Sequence, residues 1–128
     1  GSMKDKFAEL NERCFVMLQI ETEVGVGNVE EIAAVPGVDS LCIGFADLSN
    51  FLGVPGDLKH PRYLDAVRRI AAAAGKHGRV LGTAAPNEIF AREYVDLGFR
   101  LIFFGTDAHL MQSALAQRIA AMKPAGGK

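Results

Sequence analysis

Four short apolar runs punctuate the chain, and the stretches between them carry helical spacing. Phe15 to Ile20 is continuous except for Gln19, and Leu41 to Gly44, Val80 to Ala84 and Arg100 to Phe104 follow it. Runs of this length without polar alternation suit strands buried on both faces. Lys4 to Arg13 reads as a charged helix with Phe7 and Leu10 on one face. Gly25 and Gly27 suit a tight loop. Asn28 with Glu31 three residues later makes a capping-box pattern for a short helix that turns Ile32 and Val35 inward and stops at Pro36-Gly37. Ala46 to Gly56 reads as a long apolar loop holding Leu48, Phe51, Leu52 and Val54, of the kind that folds over something or meets a neighbouring chain. Pro61 opens a long helix with Leu64, Val67, Ile70, Ala71 and Ala74 at helical period; Lys76 and His77 fill its last turn and Gly78 caps it. Asn87 to Leu97 is a further helix ended by Gly98. Asp107 is placed to cap a final helix running to about Met122, and Phe103-Phe104 reads as core. A helix followed by four strand–helix units implies parallel pairing and right-handed crossovers.

Composition narrows the classes. The 128 residues carry a formal charge of −1, so nothing steers the chain toward nucleic acid or a lipid surface. No apolar run approaches the roughly 18 residues of a membrane span, and no signal peptide is visible; a cytoplasmic protein is expected. Residues 1–3 read as a cloning scar and start, 4–122 as one domain, and 123–128 as a flexible tail. Cys14 and Cys42 read as buried free thiols in a reducing compartment.

The candidate chemistry sits at strand ends. Glu21 closes the first apolar run, and Asp47 follows the second. Neighbouring strands lie roughly 4.8 Å apart, so parallel pairing lets both carboxylates reach one cation. The plainer alternative is a pair of acids that cap helices or sit in solvent. Gln19 lies two residues before Glu21, on the same side of its strand. His60 and His77 read as solvent-facing, Glu23 as a loop carboxylate, and His109 as a rim residue. Gly25 and Gly27 lack the Gly-Lys-Ser/Thr ending of a phosphate loop.

Gln19-Ile20-Glu21-Thr22, Ile32 to Asp39, Gly44-Phe45-Ala46-Asp47-Leu48-Ser49 and Leu52-Gly53, in that order, resemble the HpcH/HpaI aldolase family, whose members include 4-hydroxy-2-oxoheptanedioate and 2-dehydro-3-deoxygalactarate aldolases. The likeness spans about Asn11 to Met122. It implies an α/β fold, the C-terminal half of a TIM-type (β/α)8 barrel, and metal-dependent cleavage or formation of 2-keto-acid aldols. Pyruvate is then one partner and an aldehyde the other. The resemblance makes Glu21 and Asp47 ligands of a divalent metal (Mg²⁺ or Mn²⁺, with Co²⁺ or Zn²⁺ as alternatives). It places Gln19 beside them, gives the backbone amides of Ala46 and Asp47 to the pyruvate carboxylate, and has Thr83, Ala84, Thr106 and Asp107 line the aldehyde side. Phe45 stands where the family usually has Pro. The family's base histidine and pyruvate-binding arginine belong to its first half, and no segment here matches their motifs, so neither role is carried over.

A complete barrel of this type has eight strands. Four leave two unpaired edges and an apolar face, so a homo-oligomer or a complementary half is expected, or else a flattened sheet with helices on both faces. The functional alternative is a catalytically incomplete half-barrel that serves only as an assembly module.

Overall fold

The computed structural model describes residues 1–122; the expectation of a flexible tail at 123–128 lies outside them. The elements are α1 (Met3–Arg13), β1 (Met17–Ile20), α2 (Glu23–Gly27), α3 (Val29–Ala34), β2 (Ser40–Ile43), α4 (Phe45–Phe51), α5 (Pro61–Lys76), β3 (Val80–Ala84), α6 (Glu88–Asp96), β4 (Leu101–Phe103) and α7 (Asp107–Met122). The strands form one parallel sheet in the order β1-β2-β3-β4. None of the helices is long and apolar enough to cross a membrane, among the described residues.

The register sorts side chains onto two faces, because successive residues of a strand point to opposite sides. Ile20, Leu41, Ile43, Leu81 and Thr83 are buried on one face. Helix α5 packs on β2 and β3 and supplies Tyr63, Val67, Ile70 and Ala74 to this core. Gln19, Cys42, Gly82 and Leu101 are in register on the other face, with Met17 and Val80 below them and Ala84 and Phe103 above. That face leaves Met17, Val80 and Phe103 exposed.

This asymmetry corrects several expectations. The run from Phe15 to Ile20 is not buried on both faces: β1 is an edge strand with only Ile20 fully buried. Phe103 and Phe104 are 43% and 44% exposed, so they are not core in this chain. Cys14 is exposed and only Cys42 is buried.

Local signals were also redirected by their neighbours. Gly25 and Gly27 lie inside α2, whose N-cap is Thr22, its hydroxyl accepting from Gly25 N–H at 3.0 Å. Asn28 is the C-cap of α2 as well as the first residue of the next turn, so it makes no side-chain cap and the capping box is absent. Val29 and Ala33 are the buried residues of α3, while Val35 is exposed. The segment read as a loop from Ala46 begins as helix α4, whose Leu48 and Ser49 are buried. The final helix is capped by Thr106, whose hydroxyl accepts from His109 N–H at 3.2 Å; Asp107 contacts only the next amide, Ala108 N–H, at 2.8 Å.

Candidate active site at the strand ends

The polypeptide leaves β1 at Ile20 and is caught by the Thr22 cap of α2, which fixes Glu21 at the end of the strand. Gln19, two residues earlier on the same side, donates from Nε2 to Glu21 Oε1 at 2.6 Å. Both side chains lie across Gly44 at the end of β2. A Cβ at that position would stand 2.4 Å from Glu21 Oε1 and 2.7 Å from Gln19 Nε2. Gly44 has φ −81°, so glycine is needed here for space and not for a left-handed backbone. Gly44 is also the N-cap of α4, which carries Ala46 and Asp47 in its first turn.

The α4 end is pinned from below. The buried Ser49 hydroxyl donates to Ala46 O at 2.8 Å and accepts from Gly56 N–H at 3.0 Å. Ser49 therefore serves the backbone and not Asp47. The first intrahelical bond runs from Leu48 N–H to Gly44 O at 2.8 Å, so the N–H groups of Ala46 and Asp47 precede the helical ladder.

Gln19, Cys42, Gly44, Ala46, Asp47, Ala84 and Phe103 wall an open cavity of about 400 Å³; Glu21 is not part of the wall and is tied to it by its bond to Gln19. Burial, followed by the nearby Glu21 carboxylate, pushes the Cys42 thiol up, which keeps it protonated and a poor nucleophile. A second hollow continues past Phe45, Ala84 and Phe103 to Pro86, Thr106 and His109.

Two residues read as part of the substrate wall are elsewhere. Thr83 is fully buried on the helix-covered face, its hydroxyl donating to Ile43 O at 3.2 Å and to Ala84 O at 3.0 Å. Asp107 lines neither hollow, whereas Thr106 and His109 do. Cys42, Gly44 and Phe103 were not picked out as wall residues from the sequence. The period of two along each strand would have found them, once Gln19 was taken to face inward.

A divalent ion fits the residues present. The donor set is all oxygen, and the glycine under Gln19 and Glu21 leaves a cradle that any side chain would fill. No group of three or more His, Cys, Asp or Glu side chains gathers among the described residues. An ion here would rest on two carboxylates and take its remaining oxygens from water or substrate, as Mg²⁺ commonly does.

The model of the HpcH/HpaI aldolase/citrate lyase family matches residues 2–114. A 5-keto-4-deoxy-D-glucarate aldolase from Klebsiella pneumoniae is 39% identical over 123 residues, which are 96% of this chain and 48% of that protein. Among solved structures, an HpcH/HpaI aldolase from Desulfitobacterium hafniense superposes with a TM-score of 0.86 at 29% identity, over 99% of this chain and 49% of its own. An HpcH/HpaI aldolase/citrate lyase family protein from Burkholderia cenocepacia gives 0.85 at 37% identity, over 93% and 47%. A four-stranded parallel sheet with its connecting helices is thus the architecture of about half a TIM-barrel aldolase. The chain belongs to the HpcH/HpaI aldolase/citrate lyase family, and it spans about half the length of the curated relatives it matches.

Proposed function

We propose that this chain carries the metal- and keto-acid-binding portion of a class II aldolase that makes or breaks a carbon–carbon bond next to pyruvate. The observation that carries the reading is the Gly44 cradle: Gln19 and Glu21 folded over a residue with no side chain, beside the first turn that holds Asp47. Glu21 and Asp47 hold the ion, with Mg²⁺ and Mn²⁺ the hard cations best suited to carboxylates and Co²⁺ or Zn²⁺ as alternatives. When bound, such an ion supplies Lewis-acid polarisation of a keto oxygen.

The remaining work belongs to the chain itself. Gln19 fixes Glu21 by donating to one carboxylate oxygen, which leaves the other free. The N–H groups of Ala46 and Asp47, unclaimed by the helix, suit the carboxylate of a keto acid. Ala84 and Phe103 give the cavity an apolar wall, which the hollow toward Thr106 and His109 extends for the aldehyde. The base that a retro-aldol step requires is assigned to no residue of this chain.

The reading is tested by melting the protein with and without Mn²⁺. The ion raises the melting temperature of the parent chain, and Glu21→Ala with Asp47→Ala abolishes the rise. An undiminished rise in the double variant removes the assignment. A second reading, a half-barrel that acts only as an assembly module, draws on the uncovered sheet face. Steady pyruvate release by purified chain with excess metal would eliminate it.

A further inference from the structure

Ser49 is fully buried and lines neither hollow at the strand ends, yet its hydroxyl stands in the middle of a hydrogen-bond chain that ends at the candidate site. Gly56 N–H donates to Ser49 Oγ at 3.0 Å, and Ser49 Oγ donates to Ala46 O at 2.8 Å. A serine that bonds back to its own helix is common and by itself of little consequence. Here the second bond, from a residue seven positions further on, fixes the hydroxyl oxygen, and burial denies its hydrogen to water.

The donor to Ser49 is held in turn. The chain beyond α4 is tied down by Gly53 N–H on Asn50 O and Val54 N–H on Ser49 O, both at 2.9 Å. Gly56 has φ +75°, and a Cβ there would meet nothing within 4 Å. Glycine therefore serves the backbone at this position: it takes the left-handed conformation where its N–H meets Ser49 Oγ.

The carbonyl at the other end belongs to the peptide unit that Ala46 shares with Asp47. A trans peptide is planar, with its C=O and N–H pointing opposite ways, so holding Ala46 O aims Asp47 N–H. That N–H precedes the first intrahelical bond and meets no side-chain cap. Ala46 and Asp47 both line the cavity.

We propose that Ser49, held by Gly56, is a positioning residue for a keto-acid carboxylate: it aims and polarises the Asp47 N–H that receives that carboxylate. Three donors then run head to tail, Gly56 N–H, Ser49 O–H and Asp47 N–H, and each bond strengthens the next in a site away from water. All members of the relay lie between Ala46 and Gly56. The proposal rests on the keto-acid reading of the site and adds to it that a buried side chain outside the cavity sets the affinity.

The test is a titration of the isotope-labelled full chain, loaded with Mg²⁺, with sodium pyruvate, followed at the Asp47 amide by nuclear magnetic resonance. Mg²⁺ uptake is measured separately by calorimetry. The variants are Ser49→Ala and, as a stability control, Thr83→Val, which removes another buried hydroxyl that serves only backbone carbonyls. In the parent, pyruvate moves the Asp47 amide proton downfield. Ser49→Ala still takes up Mg²⁺ but binds pyruvate at least about tenfold more weakly, the worth of a hydrogen bond to a charged group, with a smaller downfield shift at saturation. Thr83→Val behaves as the parent. If Ser49→Ala does not fold, Ser49→Cys, of similar size with a weaker donor, takes its place and shows the same loss. Parental affinity in a folded Ser49 variant overturns the proposal and leaves the keto-acid reading standing. An equal loss in Thr83→Val makes Ser49 a stabiliser of the fold alone and overturns it as well. A parent that takes up no Mg²⁺, or no pyruvate once loaded, removes the keto-acid reading itself, and the proposal falls with it.

Discussion

Gly44→Ala separates the site from the fold. The new Cβ would stand 2.4 Å from Glu21 Oε1, 2.7 Å from Gln19 Nε2 and 2.8 Å from Glu21 Cγ. Carbon contacts settle near about 3.5–4.0 Å, so both side chains must retreat by about 1 Å. They have room, because Gln19 is exposed and Glu21 half-buried. The backbone does not object, since φ at Gly44 is −81°. The cost is therefore the Gln19–Glu21 hydrogen bond, about 1 kcal/mol. It is offset by about 0.4–1 kcal/mol from the narrower unfolded ensemble of alanine. With an unfolding entropy of about 2.1 cal/mol/K per residue, 1 kcal/mol moves the melting point of a chain this long by about 4 °C. Metal present at 100 times its dissociation constant adds about 2.7 kcal/mol, or about 10 °C. At fixed protein concentration, Gly44→Ala should melt within about 4 °C of the parent without metal and gain nothing from Mn²⁺. A variant that keeps the full Mn²⁺ shift refutes the cradle.

Other expectations follow from groups outside the site. Thr83→Val removes a buried hydroxyl that serves only backbone carbonyls; it should cost about 1 kcal/mol in urea unfolding and leave the Mn²⁺ shift unchanged, whereas a lost shift would return Thr83 to the ligand wall. The chain has two tyrosines, and Tyr63 and Tyr94 share a buried hydroxyl contact of 2.8 Å. Burial pushes both phenols up; for Tyr63 the hydrogen bond to Tyr94 adds to it. The unfolded chain then loses these protons first as pH rises through about 10, so their contribution to stability is intact below that pH and falls above it. Absorbance at 295 nm should stay flat until the chain unfolds in alkali, and a reversible phenolate titration near pH 10 in folded protein would contradict the burial. Tyr63→Phe leaves the Tyr94 hydroxyl without this partner and should cost about 1–3 kcal/mol.

The strand–helix alternation was legible because each apolar run is short and bounded, and the parallel pairing follows from it. Val80–Ala84 coincides with its apolar run because β3 is an inner strand, paired on both sides. The edges were misread for the converse reason: an apolar run says that a face seeks cover, not that this chain supplies it, and Phe15, Met17 and Phe103 remain exposed. Helix α2 was missed because Gly25 and Gly27 look like loop residues in sequence, and α4 because the apolar stretch from Ala46 to Gly56 reads as a loop. The Thr22 cap and the contact of Gly44 with Glu21 are long-range or local geometric facts that composition does not carry. Glu21 and Gln19 were placed on one side by the period of two alone. Thr83 was carried over from the resemblance without applying that same period.

A manganese titration followed by electron paramagnetic resonance tests the central claim most directly, because free Mn²⁺ is counted as its signal disappears on binding. One ion per chain should bind, and Glu21→Gln or Asp47→Asn alone should each release it. An ion held equally well by both variants, or none held by the parent chain, would contradict the account.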